Sequence, residues 1–591
     1  MKLNAAVGRP RDGVTGELSG GEAVLPVNPI YAGLAALPLL LLLFTLVVLR
    51  WRAHEAASVG MFSAAAVALT AYGMPVEALS VASAKGVWDA VFVLYVILPA
   101  LVFYHVIERA DGFEALRTRI KSFTDNELFL VLAFGWVFVS FMQSISGFGT
   151  PIVVVAPLLL ALGVKPVYSV AIPLIGHAWA NTFGTLGVAW LALVQVTEMQ
   201  SVAVTALALA VLLWIPNLIA GFSIAWIYGR TDAVRYAAPM ILIVSLIHGG
   251  GQLAAVTVIP PEFANFFAAT VGLLALGPLA MWDRYATATD AIGERLVMTE
   301  DLSPAGGADG DGTGAVADGG VATPADTAAP DDDLMSLKLA ALPFAVLAAI
   351  AFVTAVVTPL GNALGSLKVG LSFPEIATGL GVVTEAAAPY SPFAPLSHPG
   401  TFLLVSALAA FLAYRRGGYY ESAASRADGD RSAFTRAVLA TAVPASIAVI
   451  SFLVMAKLMD HSGQVLVLAE GTASVATPSS YGFLSPLIGS LGAFMTSSNT
   501  ASNILFGGLQ QQTAAQLGGI SEALILAGQS AGGAIGNAIS PGNVILGTTA
   551  AGIVGREGDV LRVTIPWVAA VAALVGLAIV LLNAAGLLGV A

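Results

Sequence analysis

The sequence predicts an all-α polytopic membrane protein with about twelve transmembrane helices plus two re-entrant hairpins, arranged in two inverted-topology repeats. Of its 591 residues, 57% are hydrophobic and only 10% are charged, whereas soluble domains average roughly 25% charged. Apolar runs of about 17–25 residues, long enough to cross the hydrocarbon core, recur along almost the whole chain. These runs lack alternating polarity, so helices rather than a β-barrel must satisfy the backbone in lipid.

The basic residues predict the orientation of the spans. If the first apolar run leads into the cytoplasm, 19 of the 25 lysines and arginines fall on the cytoplasmic side, where such residues concentrate. This assignment requires 128–163 and 482–516, each too long for one crossing, to return to the side they enter. Pairs of crossings would satisfy the same rule, but glycine and polar residues at both centres favour re-entrant hairpins. Both termini are then expected to be extracellular.

The order of spans predicts two related halves. Three spans, a hairpin, an interrupted span and one more span occur in each half, and the second half begins on the opposite side. This is the inverted-repeat plan of secondary transporters, which bind a small solute near the bilayer midplane between broken helices. The predicted units are an extracellular polar tail (1–29), repeat 1 (30–227), a linking helix pair (228–282), an acidic disordered cytoplasmic linker (283–336) and repeat 2 (337–591).

The first hairpin carries a polar tip, Gln143-Ser-Ile-Ser-Gly-Phe-Gly-Thr-Pro151. Its glycines permit backbone conformations closed to other residues, and its proline favours a helix start. Small residues alone often serve helix packing. Three hydroxyls beside a new helix N-terminus instead favour a carboxylate site. Substrate contacts are expected from Ser144, Ser146, Gly147, Gly149 and Thr150.

The next span is interrupted by His177, Asn181, Thr182 and Thr185. His177 and Asn181 lie four residues apart and share one face of an intact helix. Polar groups in hydrocarbon are costly and normally face a cavity or a partner. We expect Asn181 and Thr182 to bind substrate. His177, whose ordinary pKa is about 6.5, is the predicted proton carrier, and a neutral histidine bonded to a neighbouring helix is the alternative.

The second hairpin tip, Thr496-Ser-Ser-Asn-Thr-Ala-Ser-Asn503, has seven polar residues in eight. Such a run between apolar helices cannot face lipid, and its oxygens suit a small cation or a carboxylate. An extramembrane loop is the alternative. The last interrupted span offers a similar polar break. Substrate contacts are expected from Ser498, Asn499, Thr500, Asn503, Asn537 and Ser540.

Other classes of function find no support in the sequence. Cysteine is absent, which excludes disulfides and cysteine-ligated metals. Neither a nucleophile with its base nor a His-Glu-x-x-His pattern is present, so we expect neither an enzyme nor a metal site. No cofactor and no nucleic acid partner are expected. The expected partners are the lipid bilayer, a small solute and a coupling ion.

The polar regions resemble the L-lactate permease family. The matching stretches include Ser146-Gly-Phe-Gly-Thr-Pro151, Phe183-Gly-Thr-Leu-Gly187, the run from Leu491 through Asn503, and Gly555-Arg-Glu-Gly-Asp559. The likeness follows the chain in order, with the acidic linker as an apparent insertion. The resemblance implies uptake of L-lactate, and of glycolate and related 2-hydroxy monocarboxylates, by proton symport across the plasma membrane.

Two positions depart from the pattern of that family. Its members commonly carry Glu where this chain has Gln143, and Asn where it has His177. Moving the titratable group from one position to the other would preserve proton coupling. The same exchange is compatible with sodium coupling. The alternative prediction is therefore a sodium-coupled transporter of another small organic anion, such as a dicarboxylate.

Overall fold

The computed structural model describes residues 26, 28–49, 51–147, 149–289, 291–292, 295–298, 335–426 and 434–588. Within these residues, eight helical stretches are long and apolar enough to cross a membrane. The all-α polytopic membrane class is thus confirmed. The count of about twelve transmembrane helices and the inverted orientation of the repeats stay predictions. Most of the predicted tail and of the predicted acidic linker lies outside the described residues.

The described residues of the first half form helices joined by turns. α5 and α6 form one apolar stretch, Glu127–Ile145, through intervening π-helical turns. α10 loses helical geometry at Gly229 and Arg230, which divides the helical stretch Val202–Val258 into two parts, each long enough to cross the membrane. The helices are α1 (Pro29–Leu43), α2 (Ala53–Thr70), α3 (Val76–Glu108), α4 (Gly112–Lys121), α5 (Glu127–Leu132), α6 (Val139–Ile145), α7 (Thr150–Ala161), α8 (Pro166–Gly176), α9 (Gly184–Val196), α10 (Val202–Ser245), α11 (Gly251–Val258) and α12 (Ala264–Ala280).

The second half also contains long helices, a hairpin and a broken span. The hairpin consists of α19 and α20, and the broken span of α21 and α22. The helices are α13 (Leu337–Val356), α14 (Thr358–Ser366), α15 (Pro399–Arg416), α16 (Tyr419–Arg426), α17 (Phe434–His461), α18 (Gln464–Ala473), α19 (Pro478–Thr496), α20 (Asn499–Leu517), α21 (Glu522–Gly536), α22 (Pro541–Ala550) and α23 (Glu557–Ala584).

Between α14 and α15 the chain forms two short antiparallel ladders that the sequence did not predict. β1 (Val369–Phe373) pairs with β4 (Ala387–Phe393), and β2 (Ile376–Ala377) pairs with β3 (Val383–Thr384). The indole of Trp88 donates to the carbonyl of Ser391 at 3.2 Å. The hydroxyl of Tyr390 donates to Oδ2 of Asp89 at 2.9 Å. These bonds fix the ladders to α3.

The chain continues to pack against the helices beyond residue 283, where the predicted linker begins. Tyr285 is 1% exposed, and the amide of Lys165 donates to the carbonyl of Val297 at 2.7 Å. Arg295 forms an ion pair with Glu127 at 2.9 Å. The packed part of the chain therefore extends at least to Met298.

One close backbone approach between the halves joins α3 to α17. A β carbon built at Gly86 would lie 2.6 Å from Cα of Val454 and 2.8 Å from its nitrogen. A side chain at this position would therefore have to displace backbone rather than a flexible side chain. Small residues allow membrane helices to pack this closely.

We expect Gly86→Ala to destabilise the protein by about 1–3 kcal/mol, because the added methyl group forces α3 and α17 apart. Gly277→Ala is the matched control, since nothing lies within 4 Å of a β carbon built there. Thermal unfolding of the solubilised full chain measures both variants. Wild-type stability of Gly86→Ala would contradict the close packing of α3 on α17.

Candidate functional site

The first hairpin turns on a left-handed glycine. α6 ends at Ile145, and Gly149, with φ of 81°, precedes the Thr-Pro that begins α7. A β carbon built at Gly149 would lie 3.2 Å from Oδ1 of Asn543 and would collide with Leu546. Glycine is therefore required both by the backbone conformation and by the close approach of α22.

The second hairpin turns on Ser497, which is also left-handed, with φ of 56°. Ser498 caps α20, because its hydroxyl accepts from the amide of Ala501 at 3.2 Å. The first amides of α20, at Asn499 and Thr500, have no acceptor within their own helix. They present partial positive charge to the space in front of the hairpin.

Each hairpin is followed by a helix that breaks. Between α8 and α9 the chain forms a short 3₁₀ turn, and Thr185, Leu186 and Gly187 then take φ values of 50°, 50° and 73°. Between α21 and α22 a 3₁₀ turn, Asn537–Ile539, precedes the proline that starts α22. The breaks free backbone groups and direct polar side chains inward.

Both tips and both breaks surround one cavity of about 70 Å³. Among its described lining residues, His177 is the single titratable side chain. The lining consists of Gln143, Gly149, His177, Asn181, Gly184, Thr185, Val188, Ala189, Ser497, Ser498, Asn499, Thr500, Asn537 and Asn543.

Hydrogen bonds join the second hairpin to the first break beside this cavity. The amide group of Asn499 donates to the hydroxyl of Thr182 at 3.0 Å. The Thr182 hydroxyl donates to the carbonyl of Ser530 at 3.1 Å. Asn503 donates to the carbonyl of Ala189 at 2.9 Å and to the Ser530 hydroxyl at 2.8 Å. The two halves of the chain thus satisfy each other's buried polar groups.

A chain of three side-chain amides crosses the cavity wall between the two breaks. Nδ2 of Asn543 donates to Oδ1 of Asn537 at 3.0 Å. Nδ2 of Asn537 donates to Oδ1 of Asn181 at 2.9 Å. Nδ2 of Asn181 lies 3.2 Å from the carbonyl of Ala534. The second break is therefore tied to the first.

His177 is buried, with 1% of its surface exposed, and it lines the cavity. Its Nδ1 is hydrogen-bonded to the carbonyl of Pro173, which can only accept. Nδ1 therefore carries the hydrogen, and Nε2 holds the lone pair. Uptake of a proton at Nε2 would place one positive charge at the cavity.

The structure brings half of the predicted site residues to the cavity wall and places the others behind it. Ser144 and Ser146 donate to the carbonyls of Phe141 and Met142, at 2.6 and 3.1 Å, and so serve the end of α6. The predicted residues that line the cavity are Gly149, His177, Asn181, Ser498, Asn499, Thr500 and Asn537. Those that do not line it are Ser144, Ser146, Gly147, Thr150, Thr182, Asn503 and Ser540. Contact of these other residues with substrate stays a prediction.

Sequence reasoning did not select several of the lining residues. Gln143, Thr185 and Asn543 belong to the polar stretches that mark the tips and breaks. The sequence shows these stretches, but it does not show in which direction each side chain points. Val188 and Ala189 are apolar and give no signal of a site. Gly184 and Ser497 line the cavity through the turns that contain them.

The contact between α8 and α22, the helices beside the two breaks, predicts that a pair of engineered cysteines there forms a disulfide. A β carbon at Gly547 in α22 would lie 3.6 Å from Cβ of Val170 in α8, within the range of natural disulfides. The wild-type chain has no cysteine, so the double variant Val170→Cys with Gly547→Cys is unambiguous. We expect it to cross-link in membranes under mild oxidation.

A protease site inserted between residues 298 and 335 provides the readout, because a disulfide keeps the two halves together on non-reducing gels. Val170→Cys with Thr549→Cys is the control pair, since Thr549 is exposed on the same helix. Separation of the halves in the Val170–Gly547 pair would contradict the arrangement of the cavity.

The sequence is similar to those of known proteins. Residues 32–585 match the family model described as L-lactate permease. The chain is 27% identical to the glycolate permease GlcA of Escherichia coli (strain K12), covering 90% of this chain and 92% of that protein. It is 29% identical to the L-lactate permease of the same strain, with the same coverage. The L-lactate permease of Bacillus subtilis (strain 168) is 26% identical, with coverage of 92% and 95%.

Among solved structures, the chain is similar to the YdaH transporter of Alcanivorax borkumensis. The identity is 14%, the coverage is 84% of this chain and 86% of that one, and the TM-score is 0.42. The family assignment rests on the sequence match, which spans nearly the whole chain and confirms the resemblance noted from the motifs. This multi-pass membrane protein belongs to the L-lactate permease family.

Proposed function

We propose that this protein is a secondary active transporter, not an enzyme. It takes up L-lactate, and glycolate and related 2-hydroxy monocarboxylates, by proton symport across the plasma membrane, with both termini outside. The observation that carries the proposal is the cavity at which two hairpin tips and two helix breaks meet. Its described lining is polar and holds one titratable group, His177. The similar proteins named L-lactate permease and glycolate permease support the choice of substrate.

The carboxylate of the substrate binds at the N-terminus of α20. Asn499 and Thr500 line the cavity, their amides have no acceptor within α20, and helix N-termini stabilise anions. Gln143 on the first hairpin is 5% exposed, and its side-chain amide has no partner among the described residues. It is free to donate a second hydrogen bond. Donors from both halves thus hold one carboxylate.

Protonation of His177 balances the charge of the substrate. The described cavity wall offers no lysine or arginine, so a carboxylate alone would remain an uncompensated charge. A proton on Nε2 makes the loaded cavity neutral. Moving one charge against a membrane potential costs about 2.3 kcal/mol per 100 mV, and a neutral load avoids this cost. Transport of one proton with one monocarboxylate is therefore driven by the pH gradient and is insensitive to the potential.

Sodium coupling is the second candidate, and one observation favours it. Oδ1 of Asn499 and Oδ1 of Asn503 are buried with no hydrogen-bond donor in the described part of the chain. Amide oxygens are suitable ligands for a hard cation. A sodium ion there would replace the proton on His177 as the compensating charge, and the substrate would then extend to other small anions such as dicarboxylates.

Uptake of labelled L-lactate into proteoliposomes separates the two candidates. Proton symport predicts accumulation when the outside is acidic, no response to a sodium gradient, and no response to a potential set with potassium and valinomycin. Unlabelled glycolate should compete, whereas succinate should not. Accumulation driven by sodium without a pH gradient would replace proton coupling with the second candidate. Absence of lactate uptake under every gradient would remove the proposed function.

We expect His177→Ala to reduce accumulation driven by the pH gradient at least about tenfold, because the proton acceptor facing the cavity is lost. Exchange of internal for external lactate should continue, since it needs no net proton movement. His54→Ala is the matched control, because His54 lies on α2 away from the cavity lining. Full pH-driven accumulation by His177→Ala would show that another group carries the proton.

A further inference from the structure

We propose that Asn543 reads the 2-hydroxyl group of the substrate, and that it selects 2-hydroxy acids over 2-oxo acids. This inference rests on the proposed function, because it assigns a role within the same cavity. Asn543 lies in the first turn of α22 and is 6% exposed. It lies in the second break, where sequence reasoning selected Asn537 and Ser540 instead. Its role follows from the direction of the amide chain that it terminates.

Backbone carbonyls set the direction of that chain. Nδ2 of Asn181 lies 3.3, 3.1 and 3.2 Å from the carbonyl oxygens of His177, Ala178 and Ala534. Carbonyl oxygens only accept hydrogen bonds, so the nitrogen of Asn181 must face them and its Oδ1 must face Asn537. The assignment of nitrogen and oxygen at Asn181 therefore does not depend on any other side chain.

The orientation passes from Asn181 to the other two amides. Because Oδ1 of Asn181 is an acceptor, Asn537 presents Nδ2 to it at 2.9 Å. Oδ1 of Asn537 then faces Asn543, which presents its own Nδ2 at 3.0 Å. Nδ2 of Asn543 also lies 3.3 Å from the Asn537 carbonyl. Rotating the Asn543 amide would place its oxygen against two acceptors, so Nδ2 stays committed to Asn537.

Oδ1 of Asn543 is therefore the free end of the row of three side-chain amides. It lies 3.2 Å from the position of a β carbon at Gly149, so it points across to the first hairpin at the cavity. Among the described residues, no hydrogen-bond donor contacts it. Because Asn543 lines the cavity, a ligand that brings a donor can bond this oxygen.

The groups of the cavity thus distinguish the two ends of a 2-hydroxy acid. The amides of Asn499 and Thr500 donate and suit the carboxylate, whereas Oδ1 of Asn543 accepts and suits the hydroxyl. A 2-oxo acid has only acceptors, so its ketone oxygen would oppose Oδ1. An unsubstituted acid would leave Oδ1 unpaired. A site built to bond a substrate hydroxyl strongly rejects analogues that lack it.

The test compares L-lactate, pyruvate and propionate, which differ only in the group at carbon 2. Initial uptake into proteoliposomes and ligand-induced thermal stabilisation of the purified full chain give two independent apparent affinities. The wild type should prefer L-lactate over both analogues by at least about tenfold. Asn543→Leu, which keeps the size but removes the whole side-chain amide, should bring L-lactate to within about threefold of propionate, with propionate affinity unchanged.

Thr549→Val on the same helix is the matched control, since Thr549 is exposed and lies outside the described cavity lining. It should keep the wild-type preference. Asn543→Ala serves as a second variant should the leucine prevent folding. Wild-type preference in a folded Asn543 variant would overturn the inference, and so would an equal loss of lactate and propionate binding. A wild type that transports lactate without rejecting pyruvate would overturn this inference alone, whereas absence of any lactate uptake would overturn the proposed function.

Discussion

The hydrogen bonds between the two halves of the chain are the interactions on which the cavity depends. Broken helices expose backbone amides and carbonyls, and lipid offers them no partners. In this protein each half supplies the partners of the other, through Asn499 with Thr182 and through Asn537 with Asn181. The same bonds hold polar side chains around the cavity. Stability of the breaks and shape of the cavity therefore have one cause.

Much of this arrangement follows from the sequence, because the membrane restricts the choices strongly. Apolar length predicts the helices, and a polar run that cannot face lipid predicts an interior site. The run Thr496–Asn503 lies at the turn between two helices, and three of its predicted residues reach the cavity wall. Left-handed φ at Gly149 and at Gly187 accounts for glycine at those turns. These features need only local chemistry and the hydrophobicity of the surroundings.

The direction of individual side chains was less accessible, because it depends on partners from distant parts of the chain. Ser144 and Ser146 carry hydroxyls at the tip, yet both donate to the preceding turn of their own helix. In the sequence, Asn543 is one of several polar residues in the second break. It is distinguished from the others only when Asn181 fixes the orientation of the three side-chain amides. The β1–β4 ladder is anchored to α3, and no local pattern in residues 369–393 predicts that contact.

A cavity without fixed charge explains how one site serves both loading and release. A lysine would keep its charge after the substrate left, whereas in the proposed mechanism a proton on His177 would leave with the substrate. A cryo-EM structure of the protein in lipid nanodiscs with L-lactate tests this account most directly. We expect that structure to show the carboxylate at the N-terminus of α20, in a cavity enclosed by residues 144–151 and 496–503. Lactate bound elsewhere, or hairpin tips lying far apart, would contradict the account.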